Sequence, residues 1–327
     1  MKKRIFILLL ALVCLCGTAC GEGGAGAGDR VTVYALSGPT GVGMVHLMEA
    51  HRQGQTAIDY DLQLAYAPDE PAAKLISGDC DIAAIPTNLA ATLYNKTKGG
   101  VQVLALNTLG VLYLLQNGGE PVTSVADLRG RTVYSTGQGA NPEYILRYLL
   151  TQNGLDPDKD VHIAFVAENT ELIGKIAGGQ AELALLPEPA ASVARTKNAA
   201  IQTVLDCTEE WARVTTDGSR LTMGCVAVRT AFAAQHPDRV AQFLREYETS
   251  LQKAQQADVA ETARLCVQFG VLTEQTIAET AIPRCNLCYC AGAEMKQYLS
   301  GFLQVLYREN SKSVGGALPD EDFYYGA

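Results

Sequence analysis

Basic clusters, histidine and long apolar runs are scarce in this 327-residue chain. Its 26 Lys and Arg face 35 Asp and Glu, a formal charge of −9. Only Lys2, Lys3 and Arg4 stand together, and without the first nineteen residues the charge is −12. An acidic chain with no basic run is a poor partner for nucleic acid or an anionic membrane. Histidine occurs only as His46, His51, His162 and His236. No second Cys pair or nearby His therefore completes Cys285-Asn286-Leu287-Cys288-Tyr289-Cys290, whose three thiolates could otherwise help to hold zinc. Ten Cys are too few for a disulfide scaffold of this length. Beyond the leader and Cys20 there are seven, Cys80, Cys207, Cys225, Cys266, Cys285, Cys288 and Cys290, so not all can pair with one another; a Cys207–Cys225 bridge stays open. There is no Gly-x-Ser-x-Gly elbow to activate a serine, and Gly137-Gln138-Gly139 lacks the third glycine and later acid of a dinucleotide fingerprint. Ser37 and His162 have no evident base or orienting partner, Trp211 reads as core, and Asp320 to Asp322 as a solvated acidic tail. Charged residues are only 19% and apolar ones 48%, which excludes global disorder.

What is present begins with an export leader. The basic Lys2–Arg4 precedes the apolar Ile5–Leu15, and Gly17, Thr18 and Ala19 precede Cys20. That is the anatomy of a secretory signal over residues 1–19. Small residues before a cysteine resemble a bacterial lipobox, which makes Cys20 the lipidation site. The usual Leu three places upstream is Gly17 here. Ile5–Cys16 is too short to span a bilayer, so the remainder reads as soluble. Residues 20–29, rich in glycine, fit a flexible tether.

The middle of the chain repeats. Shifted by 101 residues, Lys74 to Pro86 lies over Lys175 to Pro187, Gly38 over Gly139, and Glu70 over Glu171. Each copy reads strand, loop, helix, twice. The first has strands at Val31–Leu36, Leu62–Ala65 and Ile82–Ile85. The second has them at Thr132–Tyr134, Val161–Val166 and Leu183–Leu186. Asp69, Glu70 and Glu171 read as helix caps. Strands alternating with helices give parallel sheets flanked by helices. The expected fold is α/β with two lobes, each a mainly parallel sheet. Lobe I takes 30–110 and 207–327, and lobe II takes 111–206. The chain then crosses twice, near 107–116 and 205–222, which makes a hinge.

In open α/β sheets, ligands bind beyond the carboxyl ends of the strands, where helices begin and offer free N–H groups. Here these loops carry Ser37, Gly38, Pro39 and Thr40, then Pro68, then Thr87 and Asn88. The second copy supplies Thr136, Gly137, Gln138, Gly139 and Asn141, then Glu188. All are candidate ligand-binding residues. A side chain added at Gly139 is expected to intrude on the ligand or to force a poor backbone angle. The loops hold hydroxyls, amides and acids but no Lys or Arg, which leans toward a small polar organic ligand with donors over a bare anion.

Gly38-Pro39-Thr40-Gly41, Thr136-Gly137-Gln138-Gly139 before Pro142-Glu143-Tyr144, and Pro187-Glu188-Pro189 resemble motifs of a known family. They are similar to those of solute-binding lipoproteins of the nitrate/sulfonate/taurine and thiamine-precursor type, which serve ABC importers. The resemblance implies a type II periplasmic-binding-protein fold that closes on a small-molecule ligand and hands it to ABC permease subunits. It implies a monomer, no cofactor, no catalysis, and attachment through the lipid anchor to the extracytoplasmic face of the bacterial cell membrane. It also places the Gly38–Thr40, Pro86–Asn88 and Gly137–Asn141 segments and Glu188 on the cleft. An enzyme of the same fold acting on a thiamine-like precursor, or a metal carrier using the Cys cluster, are the alternatives. If Cys20 is the anchor, Cys20→Ala leaves an unprocessed or released protein; unchanged processing and membrane fractionation would contradict the lipobox.

Overall fold

A computed structural model describes residues 30–256 and 258–327. The leader, Cys20 and the tether lie outside the described residues. The first stretch runs β1 (Val31–Leu36), α1 (Pro39–Val42), α2 (Val45–Arg52), β2 (Tyr60–Ala65), α3 (Asp69–Ser77), β3 (Ile82–Pro86), α4 (Thr87–Thr97) and β4 (Val101–Leu109). Then come β5 (Leu112–Gln116), β6 (Thr132–Ser135), α5 (Asn141–Gln152), β7 (His162–Phe165), α6 (Asn169–Ala177), β8 (Leu183–Pro187), α7 (Ala190–Lys197) and β9 (Gln202–Asp206). The chain continues with α8 (Cys207–Val214), β10 (Thr222–Arg229), α9 (Thr230–Gln235), α10 (Pro237–Gln256), α11 (Val259–Gln268), α12 (Gln275–Ala281), β11 (Leu287–Ala291) and α13 (Gly292–Glu309).

These elements form two lobes, each on its own sheet. One sheet has the order β11-β4-β10-β3-β1-β2, the other β7-β6-β8-β5-β9. The repeat is visible in them: β2-β1-β3 and β7-β6-β8 are parallel triplets of the same order. Beside each triplet lies one antiparallel strand, β10 on β3 and β5 on β8. Both follow a crossing between lobes. The chain leaves the first sheet after β4 and enters the second at β5; it leaves the second after β9 and returns at β10 by way of α8. The central strand β3 is buried along Ile82–Ile85, and its unbroken apolar run reflects cover on both faces.

Helix ends follow local chemistry. Gly78 closes α3 in the left-handed region at φ 88° and donates its N–H to Lys74 O. Asp206 caps α8 by accepting from Thr208 N. The acids expected to cap α3 and α6 do not. Pro68 and Glu168 hold those positions without a side-chain hydrogen bond, and Asp69, Glu70 and Glu171 fall inside the first turns. Asp320 to Asp322 are exposed, as a solvated acidic segment would be, but their backbone is tied down. Tyr94 OH donates to Asp320, and Tyr325 N bonds Val103 O at 3.0 Å, so the segment is folded against β4.

One apolar core runs through both lobes and reaches the cavity at Met223. In it Trp211 of α8 is wholly buried, 4.5 Å from Tyr148 of α5 and 5.5 Å from Phe302 of α13, ring centre to ring centre. On another side, α11 and α12 form a strap. Val271 O, just after α11, accepts from Ser37 Oγ and Gly38 N. Past α12, Arg284 O accepts from Tyr113 OH of β5 at 2.8 Å.

All seven described cysteines are free thiols, which corrects the suggested Cys207–Cys225 bridge. Burial pushes Cys80, Cys266, Cys288 and Cys290 up to about 12 and raises Cys207, Cys225 and Cys285 as well. Since the thiolate is the nucleophile, the folded chain at pH 8 should resist iodoacetamide at these positions, and unfolding in guanidinium should make them all reactive. Rapid alkylation of any of them in the native protein would contradict this packing.

Candidate functional site

The starts of α1 and α4 in lobe I face the start of α5 and the β8–α7 turn in lobe II across a cavity of about 340 Å³. Lobe I lines it with Pro39, Thr40, Pro86, Asn88, Thr108 and Met223. Across from them lie Ala140, Asn141, Pro142, Pro187 and Glu188, with Val111 between β4 and β5. A larger concavity of about 880 Å³ lies between the end of α4, α9 and the C-terminal segment, away from these loops. The smaller one is the ligand candidate because both lobes and both copies of the repeat supply its walls.

The lobes touch there. Asn141 Nδ2 donates to Asn88 Oδ1 at 3.1 Å, joining the first turn of α5 to that of α4. Asn141 is only 9% exposed, and its Oδ1 has no hydrogen-bond partner. Glu188, 2% exposed, turns Oε2 to Ser192 N at 3.1 Å and so answers the start of α7. Its Oε1 has no hydrogen bond but lies 3.5 Å from Arg195 Nη2, which itself donates to Ser192 Oγ at 3.0 Å. Burial raises the Glu188 carboxyl above the usual carboxylate range and lowers the Arg195 guanidinium. Thr108 Oγ1, buried on β4, is likewise unpartnered. Leaving a buried polar atom unpaired costs about 1–3 kcal/mol, so Asn141 Oδ1 and Thr108 Oγ1, on residues from the two lobes that line the cavity, mark it as built for a partner.

Beneath the cavity, Asn107 Nδ2 donates to Thr40 O at 3.1 Å and to Tyr247 OH at 2.9 Å, which fixes its side chain. Gly224 of β10 passes so close that a Cβ would stand 2.5 Å from Asn107 Oδ1 and 2.9 Å from Thr40 Oγ1. Only glycine fits this floor without displacing Asn107.

The sequence-derived site residues divide. Pro39, Thr40, Asn88, Asn141 and Glu188 line the cavity. Ser37 and Gly38 instead hold the strap through Val271 O. Thr87 Oγ1 donates to Thr222 O at 2.7 Å, tying α4 to β10. Thr136 Oγ1 donates to Asn169 Oδ1 at 2.8 Å, tying the β6 turn to α6. Pro68 opens α3, and Gly137, Gln138 and Gly139 form the turn before α5, with Gln138 exposed. A Cβ at Gly139 would meet no protein atom within 4 Å, and its φ of +73° is the backbone angle, expected from the sequence, that a side chain would strain. Its N–H goes to Glu143 Oε2 and its carbonyl accepts from Tyr144 OH, both at 2.7 Å. Three lining residues, Thr108, Val111 and Met223, were missed because they belong to crossing strands and not to helix starts. The polar pair Asn107-Thr108 inside the apolar run Val101–Leu109 was the available signal.

Among the described residues no group of three or more His, Cys, Asp or Glu could hold a metal ion. No helix among them is long and apolar enough to cross a membrane.

Residues 53–269 match the sequence profile of the family described as phosphonate-binding ABC-transporter periplasmic substrate-binding proteins. The chain belongs to this family. Its members are solute-binding components of transporters rather than enzymes. No curated protein matches the chain. Among solved structures, this family member is similar to an ABC transporter protein from Parabacteroides distasonis. The TM-score is 0.75 and the identity 24%, over 90% of this chain and 98% of that one. The periplasmic aliphatic sulphonate binding protein of Escherichia coli aligns with a TM-score of 0.68 and 14% identity, over 89% and 92%. The ligand-binding component of an ABC-type import system from Staphylococcus aureus, crystallised with zinc, aligns with a TM-score of 0.64 and 13% identity, over 91% and 99%. These likenesses show the two-lobed periplasmic-binding-protein fold.

Proposed function

We propose that the protein captures one small polar solute between its lobes, closes on it, and presents the closed form to an ABC permease. The observation that carries this reading is the cavity at the Asn88–Asn141 contact, walled by helix starts from both lobes. A solute bound there touches both lobes only when they are together, so binding favours the closed state by that difference in contact. Two crossings, at 110–111 and through α8, allow the lobes to rotate and prevent them from parting. The moving units on this reading are 30–110 with 207–327, and 111–206. Cys20 tethers the monomer to the extracytoplasmic face of the membrane. The protein delivers its ligand and does not turn it over. Ser37 Oγ is engaged with Val271 O, and His162 is exposed on β7.

Trp211, the one tryptophan of the chain, sits between Tyr148 of lobe II, tilted against it, and Phe302 of lobe I, edge-on to it. Its emission should therefore change when a solute that copurifies with the protein is removed and restored. At a hundred times its dissociation constant, that solute should add about 2.7 kcal/mol to the unfolding free energy. Asn141→Ala should weaken binding tenfold or more with little change in the melting of the free protein. Unchanged affinity in Asn141→Ala, with unchanged emission in the parent, would contradict closure across this contact.

A further inference from the structure

The polar contact between the lobes extends beyond the Asn88–Asn141 bond. Asn141, Tyr144 and Tyr148 stand at i, i+3 and i+7 on one face of α5. Asn141 meets Asn88, and Tyr148 meets Trp211 of α8. Between them the buried Tyr144 meets Asn310, just past α13: its hydroxyl accepts from Asn310 Nδ2 at 2.8 Å. The same hydroxyl donates to Gly139 O at 2.7 Å, in the turn that leads into Asn141. Tyr144 belongs to lobe II and Asn310 to lobe I, so this is a second polar bond from lobe to lobe.

The direction of these bonds is set by their neighbours. A carbonyl can only accept, so the phenolic hydrogen goes to Gly139 O and a lone pair is left for Asn310. Lys312 N donates to Asn310 Oδ1 at 3.1 Å, which turns the Nδ2 end of that amide toward Tyr144.

The two inter-lobe bonds are parts of one circuit. From Gly139 the chain reaches Asn141 in two residues, and Asn141 Nδ2 bonds Asn88 Oδ1. Asn88 Nδ2 donates in turn to Ser313 O at 3.4 Å, the longest link, and Thr92 Oγ1 donates to the same carbonyl. Ser313 N and Ser313 Oγ both donate to Asn310 O, at 2.9 and 2.7 Å, which closes the circuit. It passes from lobe I to lobe II at Tyr144 and back at Asn141.

We infer, resting on the solute-binding reading above, that Tyr144 and Asn310 are positioning residues for solute capture: through this circuit they hold the Gly137–Asn141 turn, and with it Asn141, against lobe I in the closed form. They act through Asn141, since of the side chains in the circuit it is Asn88 and Asn141 that line the cavity.

The turn needs such support. Gly137 and Gly139 both lie in the left-handed region, at φ 72° and 73°. Glu143 Oε2 accepts from Gly139 N on one side of the turn and Tyr144 OH bonds its carbonyl on the other. The lobe I end is firm: Val314 is wholly buried and its carbonyl accepts from Asn95 Nδ2 at 2.8 Å. Burial of Tyr144 keeps water from replacing either bond at low cost. A rotation that parts Asn141 from Asn88 also pulls Tyr144 from Asn310, so both bonds belong to the same closed form.

Hydrogen–deuterium exchange of the full protein reads the circuit without any added solute. Native mass spectrometry reads how long each molecule keeps its copurified solute after dilution. Tyr144→Phe retains the aromatic ring and deletes the hydroxyl. It should speed exchange severalfold in two places at once, the Gly137–Asn141 turn of lobe II and residues 312–316 of lobe I. It should also speed loss of the copurified solute about fivefold, the effect of one net hydrogen bond. Asn310→Ala cuts the same bond from the other lobe and should reproduce both effects. Because the circuit acts as a unit, Tyr144→Phe added to Asn141→Ala should lose solute no faster than Asn141→Ala alone. Unchanged exchange at 312–316 in Tyr144→Phe, or effects of Tyr144→Phe and Asn141→Ala that multiply, would overturn the inference and leave the solute-binding reading standing. A parent that carries no solute, with exchange unchanged at both places in Tyr144→Phe, would overturn both.

Discussion

The hydrogen bond from Asn141 to Asn88 joins the first turns of two helices that sit more than fifty residues apart and in different lobes. It exists because the two crossings fold one copy of the repeat against the other, bringing the start of α4 in the first copy to face the start of α5 in the second. Every other feature of the cavity depends on that apposition. The unpartnered Asn141 Oδ1 comes from one lobe and Thr108 Oγ1 from the other. The two could not be answered together by one solute if the lobes stood apart.

The two lobes are bound to each other at two further places of different character. On the back, Trp211 sits between Tyr148 and Phe302 in a core that both lobes share. Its area burial opposes separation without fixing direction, since hydrophobic contact is not directional. On the side, the α11–α12 strap holds lobe I through Val271 O and lobe II through Arg284 O. On the closure reading, the apolar pivot and the hydrogen-bonded strap would guide rotation of the lobes, and the cavity lies at the polar clasp between them.

Much of this was legible in the sequence. The 101-residue shift reappears as two triplets of the same strand order, because strand-loop-helix periodicity is set locally by apolar spacing and by Gly and Pro at the turns. Asn88, Asn141 and Glu188 were reachable because helix starts after strands announce themselves. The antiparallel strands β5 and β10 are each recognisable as apolar runs, but their direction is fixed only once the crossings bring them beside β8 and β3. Thr108 and Met223 were hidden for the same reason. Ser37 and Thr136 have the same local signature as Asn88, yet their hydroxyls bond Val271 O and Asn169 Oδ1. A hydroxyl at a helix start serves the fold or the ligand according to its neighbours in space, which sequence spacing does not specify.

The central claim is that a solute holds the lobes together across the Asn88–Asn141 contact. Spin labels on exposed Gln53 of lobe I and Lys159 of lobe II allow the lobe separation to be read by pulsed dipolar spectroscopy. With the copurifying solute restored to saturation, the account predicts one narrow distance distribution. With the solute removed, it predicts a broader distribution displaced to longer distance. The same narrow distribution in both states would contradict it.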